Sequence, residues 1–418
     1  MPQLKPRLHA VFESLANFAH WSVLSCGAGV LIGLLAIAFH YGIQIATQMR
    51  LTHPHLLLLL PVAGVIIVLL YRACGMEQDR GTNLVLVAVR QAHPMRLRTA
   101  PLIFISTVLT HLVGGSAGRE GAALQLGGSM AETAGRLLKL DEKDRRMLTM
   151  CGMSAAFSAL FGTPLTAAVF SMEVVSVGVM YYAAIVPCLL SSLTALELAK
   201  LLGVHGEQYA VSGIPALSSL SIVQSAALGI GCALLSVLFC KAVHTAPRLY
   251  DRVAKTPVFK ALLGGILLLV LTFLVGSQDY NGAGSHVIEL ALTGDARPEA
   301  FLLKILFTAV TLGAGFRGGE IVPVLFTGAT FGCVAGPLVG LSPSVGGALG
   351  MAGVFCGATN CPISSILLAY ELFGGQSLPL FALCCGVSYM MSGYSGLYSE
   401  QKIVYSKFRT EWIDRNAD

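Results

Sequence analysis

Gly114-Gly115-Ser116-Ala117-Gly118-Arg119-Glu120-Gly121 sets an arginine beside a glutamate in a glycine-rich run, within an otherwise apolar sequence. A second run of this kind, Gly313-Ala314-Gly315-Phe316-Arg317-Gly318-Gly319-Glu320, lies near the other end of the chain. Ionisable groups at membrane depth are costly and mark ion or proton paths. Glycine-broken, charge-bearing segments at corresponding places in two halves of a chain point to a transporter binding site.

Composition supports the membrane reading. Of 418 residues, 55% are hydrophobic and only 12% charged, with a mean hydropathy of +0.73. Soluble proteins carry roughly 25% charged residues. Apolar stretches at 21–39, 55–71, 181–202, 223–240 and 261–275 approach or reach the length of a bilayer-spanning helix, about 20 residues. Shorter ones at 84–89 and 321–326, bounded by glycine or charge, read as helices that enter the membrane without crossing it. The alternating pattern of a β-barrel is missing, so the expected fold class is an all-α integral membrane protein.

The net charge is +5, and its placement bears on topology. Lys5 and Arg7 precede the first span, and Lys402, Lys407, Arg409 and Arg415 follow the last. Both termini are therefore expected in the cytoplasm. The expected division is a cytoplasmic segment 1–20, one membrane domain 21–400 and a short cytoplasmic tail 401–418, without a cleavable signal peptide. The loop 139–146, rich in charge, reads as water-exposed. Eleven cysteines and ten histidines are scattered without metal-like spacing, so packing thiols are expected. No metal, cofactor or nucleic-acid partner is expected.

An internal repeat organises the chain. Pro164 and Pro362 each open an apolar segment that carries a glutamate nine positions on, Glu173 and Glu371. Glu120 precedes Pro164 by 44 positions and Glu320 precedes Pro362 by 42. Two features repeated in the same order argue for duplicated halves, about 21–205 and 220–400. Such halves pack as inverted repeats with a site at their interface.

A helix that begins inside the membrane points unpaired N–H groups and its positive dipole end at what lies ahead. Glycine lets that backbone approach an ion closely. Three starts qualify: 114–121 before the helix at Ala122, 313–320 before Val322-Pro323, and Gly81-Thr82-Asn83 before Leu84. Glu120 reads in two ways. As a gate, its ionised carboxylate competes with an anion, and protonation lets it move aside. Alternatively it is a structural charge, paired with Arg119 or held by the helix dipole.

These residues resemble the CLC family of anion channels and transporters. Gly118-Arg119-Glu120-Gly121 resembles that family's G-R-E-G-x motif, and Gly318-Gly319-Glu320-Ile321-Val322-Pro323 its G-x-F-x-P motif. Phe161-Gly162-Thr163-Pro164 and Thr359-Asn360-Cys361-Pro362 resemble its paired proline-led helices. The resemblance runs from about Gly27 to Tyr398. It implies a homodimer in the lipid bilayer with one anion pathway per subunit, inverted repeats of broken and tilted helices, and Glu120 as gating glutamate. Tyr398 matches the tyrosine whose hydroxyl contacts the central anion; an interfacial aromatic anchor is the other reading, which Tyr394 fits equally.

Departures from the pattern narrow the branch. Where chloride carriers have G-S-G-I-P, this chain has Asp79-Arg80-Gly81-Thr82-Asn83, without the serine. Ile321 replaces phenylalanine, Ala122 replaces proline, and the inner proton-transfer glutamate of chloride/proton antiporters falls on Val174. Glu320 stands where chloride carriers have an apolar residue. This set is similar to the fluoride/proton antiporter branch, which implies fluoride export in exchange for protons across a bacterial cytoplasmic membrane. On that resemblance Glu120 gates and Glu320 serves the inner proton route. Gly118, Arg119, Gly121, Arg80, Gly81, Thr82, Asn83, Gly319, Ile321, Val322 and Tyr398 form the expected anion site. That branch has methionine where Arg80 falls, so Arg80 either faces the pathway or turns away as a loop charge paired with Asp79. Glu320 is either a proton carrier or a structural charge, unpaired or paired with Arg317. A chloride/proton antiporter or passive chloride channel is the alternative within the family. An intramembrane enzyme is disfavoured, because no Ser/His/Asp set or histidine cluster is present.

Overall fold

The computed structural model of the chain describes residues 4–77, 79–91 and 94–418. The side chains of Lys5 and Arg7, used above for topology, lie outside the described residues. Sixteen α-helices form among the described residues. The first half holds α1 (Leu4–Thr52), α2 (Leu60–Ala73), α3 (Thr82–Gln91), α4 (Thr99–Leu112), α5 (Glu120–Leu137), α6 (Glu142–Phe161), α7 (Pro164–Glu173) and α8 (Ile185–Leu201). The second half holds α9 (Ser219–Val253), α10 (Pro257–Val275), α11 (Ser285–Thr293) and α12 (Ala300–Gly313). It closes with α13 (Ile321–Ala335), α14 (Pro343–Thr359), α15 (Pro362–Phe373) and α16 (Leu378–Met391).

Five helical stretches are long and apolar enough to cross a membrane, and each overlaps one of the five apolar stretches read from the sequence. The others are short, as the glycine and charge interruptions predict. Their boundaries follow local chemistry. Asp141 caps α6 by accepting from Asp144 N at 2.8 Å, Ser218 closes a capping box on α9, and α7, α10, α14 and α15 each start with proline. Proline costs nothing there, because the first-turn N–H has no partner in any case.

The repeat is visible in the packing. α5 lies on α6 as α13 lies on α14; α6 lies on α8 as α14 lies on α16; α1 meets α4 and α8 as α9 meets α12 and α16. The α5–α6 and α13–α14 seams are close backbone contacts. A Cβ on Gly127 would sit 2.3 Å from the Gly152 carbonyl oxygen, and one on Gly332 would sit 2.0 Å from that of Gly346. Small residues let helices approach to this degree in a bilayer.

The two proline–glutamate segments meet and cap each other. The Glu173 carboxylate accepts from Ile363 N at 3.1 Å, Ser364 N at 2.8 Å and the Ser364 hydroxyl. The Glu371 carboxylate accepts from Leu165 N and Thr166 N, both at 2.8 Å, and from the Thr166 hydroxyl at 2.6 Å. Each glutamate thus satisfies the orphan N–H groups that open the other half's helix.

After α16 the chain returns to the helical body. β2 (Lys402–Tyr405) pairs in parallel with β1 (Ser176–Val177) and antiparallel with β3 (Trp412–Asn416). Lys407 donates to Tyr389 O at 3.0 Å and to the Ser392 hydroxyl at 3.1 Å.

Candidate functional site

The two glycine-rich runs lie against each other. Gly118 N donates to Gly319 O at 2.7 Å, and Gly319 N donates to Gly118 O at 2.8 Å, a two-residue antiparallel bridge. Immediately beyond it α5 and α13 begin, with Arg119 and Glu320 as their N-cap residues. α3 arrives at the same point, where the Thr82 hydroxyl donates to Gly121 O at 3.2 Å. A Cβ on Gly121 would lie 3.0 Å from Gly319 Cα, 3.1 Å from Glu320 Oε2 and 3.3 Å from Thr82 Oγ1. The starts of α3, α5 and α13 therefore converge on Gly121, as the sequence predicts. Their first N–H groups and dipole ends favour negative charge there.

Two carboxylates occupy this point in different ways. Glu120 is 2% exposed. Its Oε2 accepts from Arg119 N at 2.9 Å and its Oε1 from Arg119 Nε at 3.2 Å. The ion pair read as one alternative for Glu120 is thus present. Arg119 is held in turn by His40 Nδ1 at 2.9 Å and stands 3.9 Å from Glu207. Glu320 is half-buried, and its buried Oε2 has no hydrogen-bond partner among the described residues. Arg317 does not supply one. Its guanidinium stacks on the Tyr71 ring at 4.2 Å and donates to Asp79 O at 3.4 Å.

Tyr398 is 1% exposed, and its hydroxyl has no partner among the described residues. Tyr394 instead bonds Ser406 at 2.9 Å. The loop carrying Tyr398 is fixed on both sides: Gln401 donates to Val174 O at 3.0 Å and Thr359 O at 2.8 Å, and Glu400 N donates to Asn83 at 3.1 Å. Val174 is fully buried and offers only its backbone carbonyl.

Three expected site residues need correction. Gly118 and Gly319 cannot present their N–H groups to an anion, because each donates to the other's carbonyl. Arg80 turns outward. Its side chain is 65% exposed and pairs with Glu400 at 3.0 Å, while Asp79, its expected partner, accepts from Gly81 N at 2.8 Å and from Gln125. Asn83 reaches the site through its bond to the Glu400 backbone.

Cavities open on either side of the convergence. One of about 520 Å³ reaches Glu120, Arg119 and Val322 and is walled by the end of α1, from His40 to Leu51, and by Gln278 to His286. Another, of about 750 Å³, is lined by Asp79, Arg80, Leu84 and Arg96. The sequence reading missed Arg50, His111 and Asn281 in the first cavity, and Lys304 behind it. A lysine inside the apolar run 301–313 was the available signal.

Comparison with known proteins agrees with this geometry. Residues 63–393 match the family model described as voltage gated chloride channel. A chloride/fluoride channel protein of Pseudomonas syringae pv. tomato is 35% identical over 402 residues, 94% of this chain and 89% of that one. An H+/Cl− exchange transporter of Yersinia pestis is 25% identical over 421 residues, 90% of this chain and 86% of that one. The solved structure of a CLC-type fluoride/proton antiporter superposes with a TM-score of 0.89 at 32% identity, covering 92% of this chain and 98% of that one. The chain belongs to the voltage gated chloride channel family, the CLC family of anion channels and transporters.

Proposed function

We propose that this protein exports fluoride from the bacterial cytoplasm in exchange for external protons. The observation that carries the reading is a pair of carboxylates, the buried Glu120 and Glu320 with its buried Oε2, at two helix starts that meet across one backbone bridge. Fluoride is small and strongly hydrated, so a site must replace its water with close donors. The N–H groups of Gly121, Ile321 and Val322 and the unpartnered Tyr398 hydroxyl are the donors proposed here. Glu120, ionised, occupies the anion's place beside Arg119. Protonated from the 520 Å³ cavity, it leaves the site to the anion. Glu320 carries the proton onward, where Val174 supplies no titratable group.

Orientation follows from α1. Its far end, near Arg50, lines the Glu120 cavity, so a cytoplasmic N-terminus puts that cavity outside. The Arg80 side, next to Glu400 and the basic tail, then faces the cytoplasm. The proposed assembly is a homodimer with one pathway per subunit. Chloride transport is the second reading, supported by the 25% identity to an H+/Cl− exchange transporter.

The test is ion efflux from liposomes loaded with fluoride or chloride, with external pH recorded, for wild type, Glu120→Gln and Glu320→Gln. Fluoride-selective efflux with proton uptake, uncoupled or stopped by either substitution, supports the reading. Equal or preferred chloride flux sinks the fluoride assignment, and efflux without proton movement makes the protein a channel.

A further inference from the structure

In the cavity that opens onto Glu120, Arg50 has no acidic partner among the described residues. Its side chain is 4% exposed, and neither Nε nor Nη1 has a hydrogen-bond partner. The acids lining that cavity, Glu120 and Glu207, are engaged with Arg119. A buried guanidinium without a counter-charge is destabilising, unless an anion arrives to supply one.

The surroundings of Arg50 are built to hold it there. Two glycines make room: a Cβ on Gly114 would lie 3.3 Å from Arg50 Cδ, and one on Gly282 would lie 3.1 Å from Arg50 Nη2. The two loops are tied together. Gly282 N donates to Gly115 O at 3.1 Å and Asn281 Nδ2 to Gly114 O at 2.8 Å. Lys304, fully buried, donates to Gly282 O at 2.7 Å and Tyr280 O at 3.3 Å. It has no carboxylate partner among the described residues, and its Nζ lies 5.0 Å from the centre of the Phe326 ring. His111, 1% exposed, bonds Thr107 O through Nδ1 at 2.9 Å and leaves Nε2 without a partner in the same cavity.

The geometry points to a separate small-anion site at Arg50, between solvent and Glu120, with Lys304 and His111 beside it. It deepens the proposed function and rests on that reading only for the identity of the transported ion. The guanidinium fork supplies directed donors, and an anion docked there stands one step from the place Glu120 vacates. Because the cavity is far larger than any halide, this site selects for charge and not for size.

Bromide is the probe, located by anomalous diffraction in crystals of wild type, Arg50→Lys and Arg50→Met. Transport is measured in liposomes with the fluoride gradient reversed, so that the anion enters from the Glu120 side. Bromide at Arg50 in wild type, weaker in Arg50→Lys and absent from Arg50→Met, is the expected result. With it, the apparent KM for fluoride rises about tenfold to a hundredfold in Arg50→Met, as expected for loss of a charge-assisted hydrogen bond. No bromide at Arg50 in wild type, or equal occupancy in Arg50→Met, overturns the site. Arg50→Lys keeps the charge and guards against reading a folding defect as lost binding. Bromide bound at Arg50 in a protein that moves no protons with fluoride keeps this site and refutes the exchange reading.

Discussion

Gly319→Ala tests the convergence of the helix starts most directly. The added Cβ would lie 2.5 Å from Gly121 N, 3.1 Å from Gly121 Cα and 3.2 Å from Glu120 N, where ordinary contact begins at 3.4 Å. All three neighbours are backbone, so no flexible side chain can yield. The run 114–121 must move away from 313–320 by roughly the shortfall at Gly121 N, which breaks the Gly118–Gly319 bridge. Overpacking of this kind costs about 1–3 kcal/mol, and each lost backbone hydrogen bond about 0.5–1.5 kcal/mol, so the total is about 2–6 kcal/mol. Against a typical stability of about 5–15 kcal/mol, the variant folds at the low end of that range. If the low figure falls on the anion site, affinity drops about thirtyfold. Gly386→Ala is the control: a Cβ there meets nothing within 4 Å, and alanine in a helix interior gains about 0.5–1 kcal/mol over glycine. Thermal melting in detergent and liposome efflux are read side by side. Gly319→Ala with wild-type melting and at least half of wild-type efflux would refute the claim that the two runs are rigidly apposed.

Three further outcomes are expected. Tyr398→Phe removes a hydroxyl that bonds nothing in the protein, so melting is unchanged while fluoride affinity by calorimetry falls about tenfold or more; equal losses in both would make the tyrosine a packing residue. Glu371→Gln weakens three hydrogen bonds to the start of α7 and costs about 1–3 kcal/mol, seen as earlier melting, and Glu173→Gln does the same at α15. Arg80→Ala removes an ion pair whose arginine is 65% exposed, worth under about 1 kcal/mol; a change in anion selectivity beyond about twofold would put Arg80 back on the pathway.

The architecture was legible because the bilayer penalises charge and rewards uninterrupted apolar length. The five long helices and the glycine-broken starts of α3, α5 and α13 stood out against that background. The repeated proline–glutamate spacing located α7 and α15. That each glutamate caps the other half's helix depends on a tertiary meeting which spacing alone does not encode. The same limit explains the misread glycines. Gly118 and Gly319 looked like donors to an anion, but the two runs pair with each other and use those N–H groups. Arg80 was ambiguous because its partner, Glu400, is 320 positions away. Arg50 was hidden near the end of a 49-residue helix, where a lone cation reads as a membrane-surface anchor.

The repeat gives the site a near-symmetric frame and unlike carboxylates within it. Glu120 and Glu320 flank the same bridge at the starts of equivalent helices, yet one is tied to an arginine beside a cavity and the other keeps an oxygen without a partner among the described residues. On the proposed function, a fluoride bound there takes the place of the ionised Glu120 and adds its negative charge beside Glu320. Like charges at that range oppose one another strongly when water is excluded. Anion entry is therefore favoured when a proton neutralises Glu120, and the anion is displaced when Glu120, having passed the proton on, returns ionised. Coupling then requires no large rearrangement of the helices, only that the two glutamates are reached by protons from different sides. On the proposed orientation the tethered Glu120 meets the outer cavity. If Glu320→Gln still exchanges fluoride for protons at the wild-type ratio, this charge argument fails, because a neutral amide at that position would leave nothing for the second proton step to discharge.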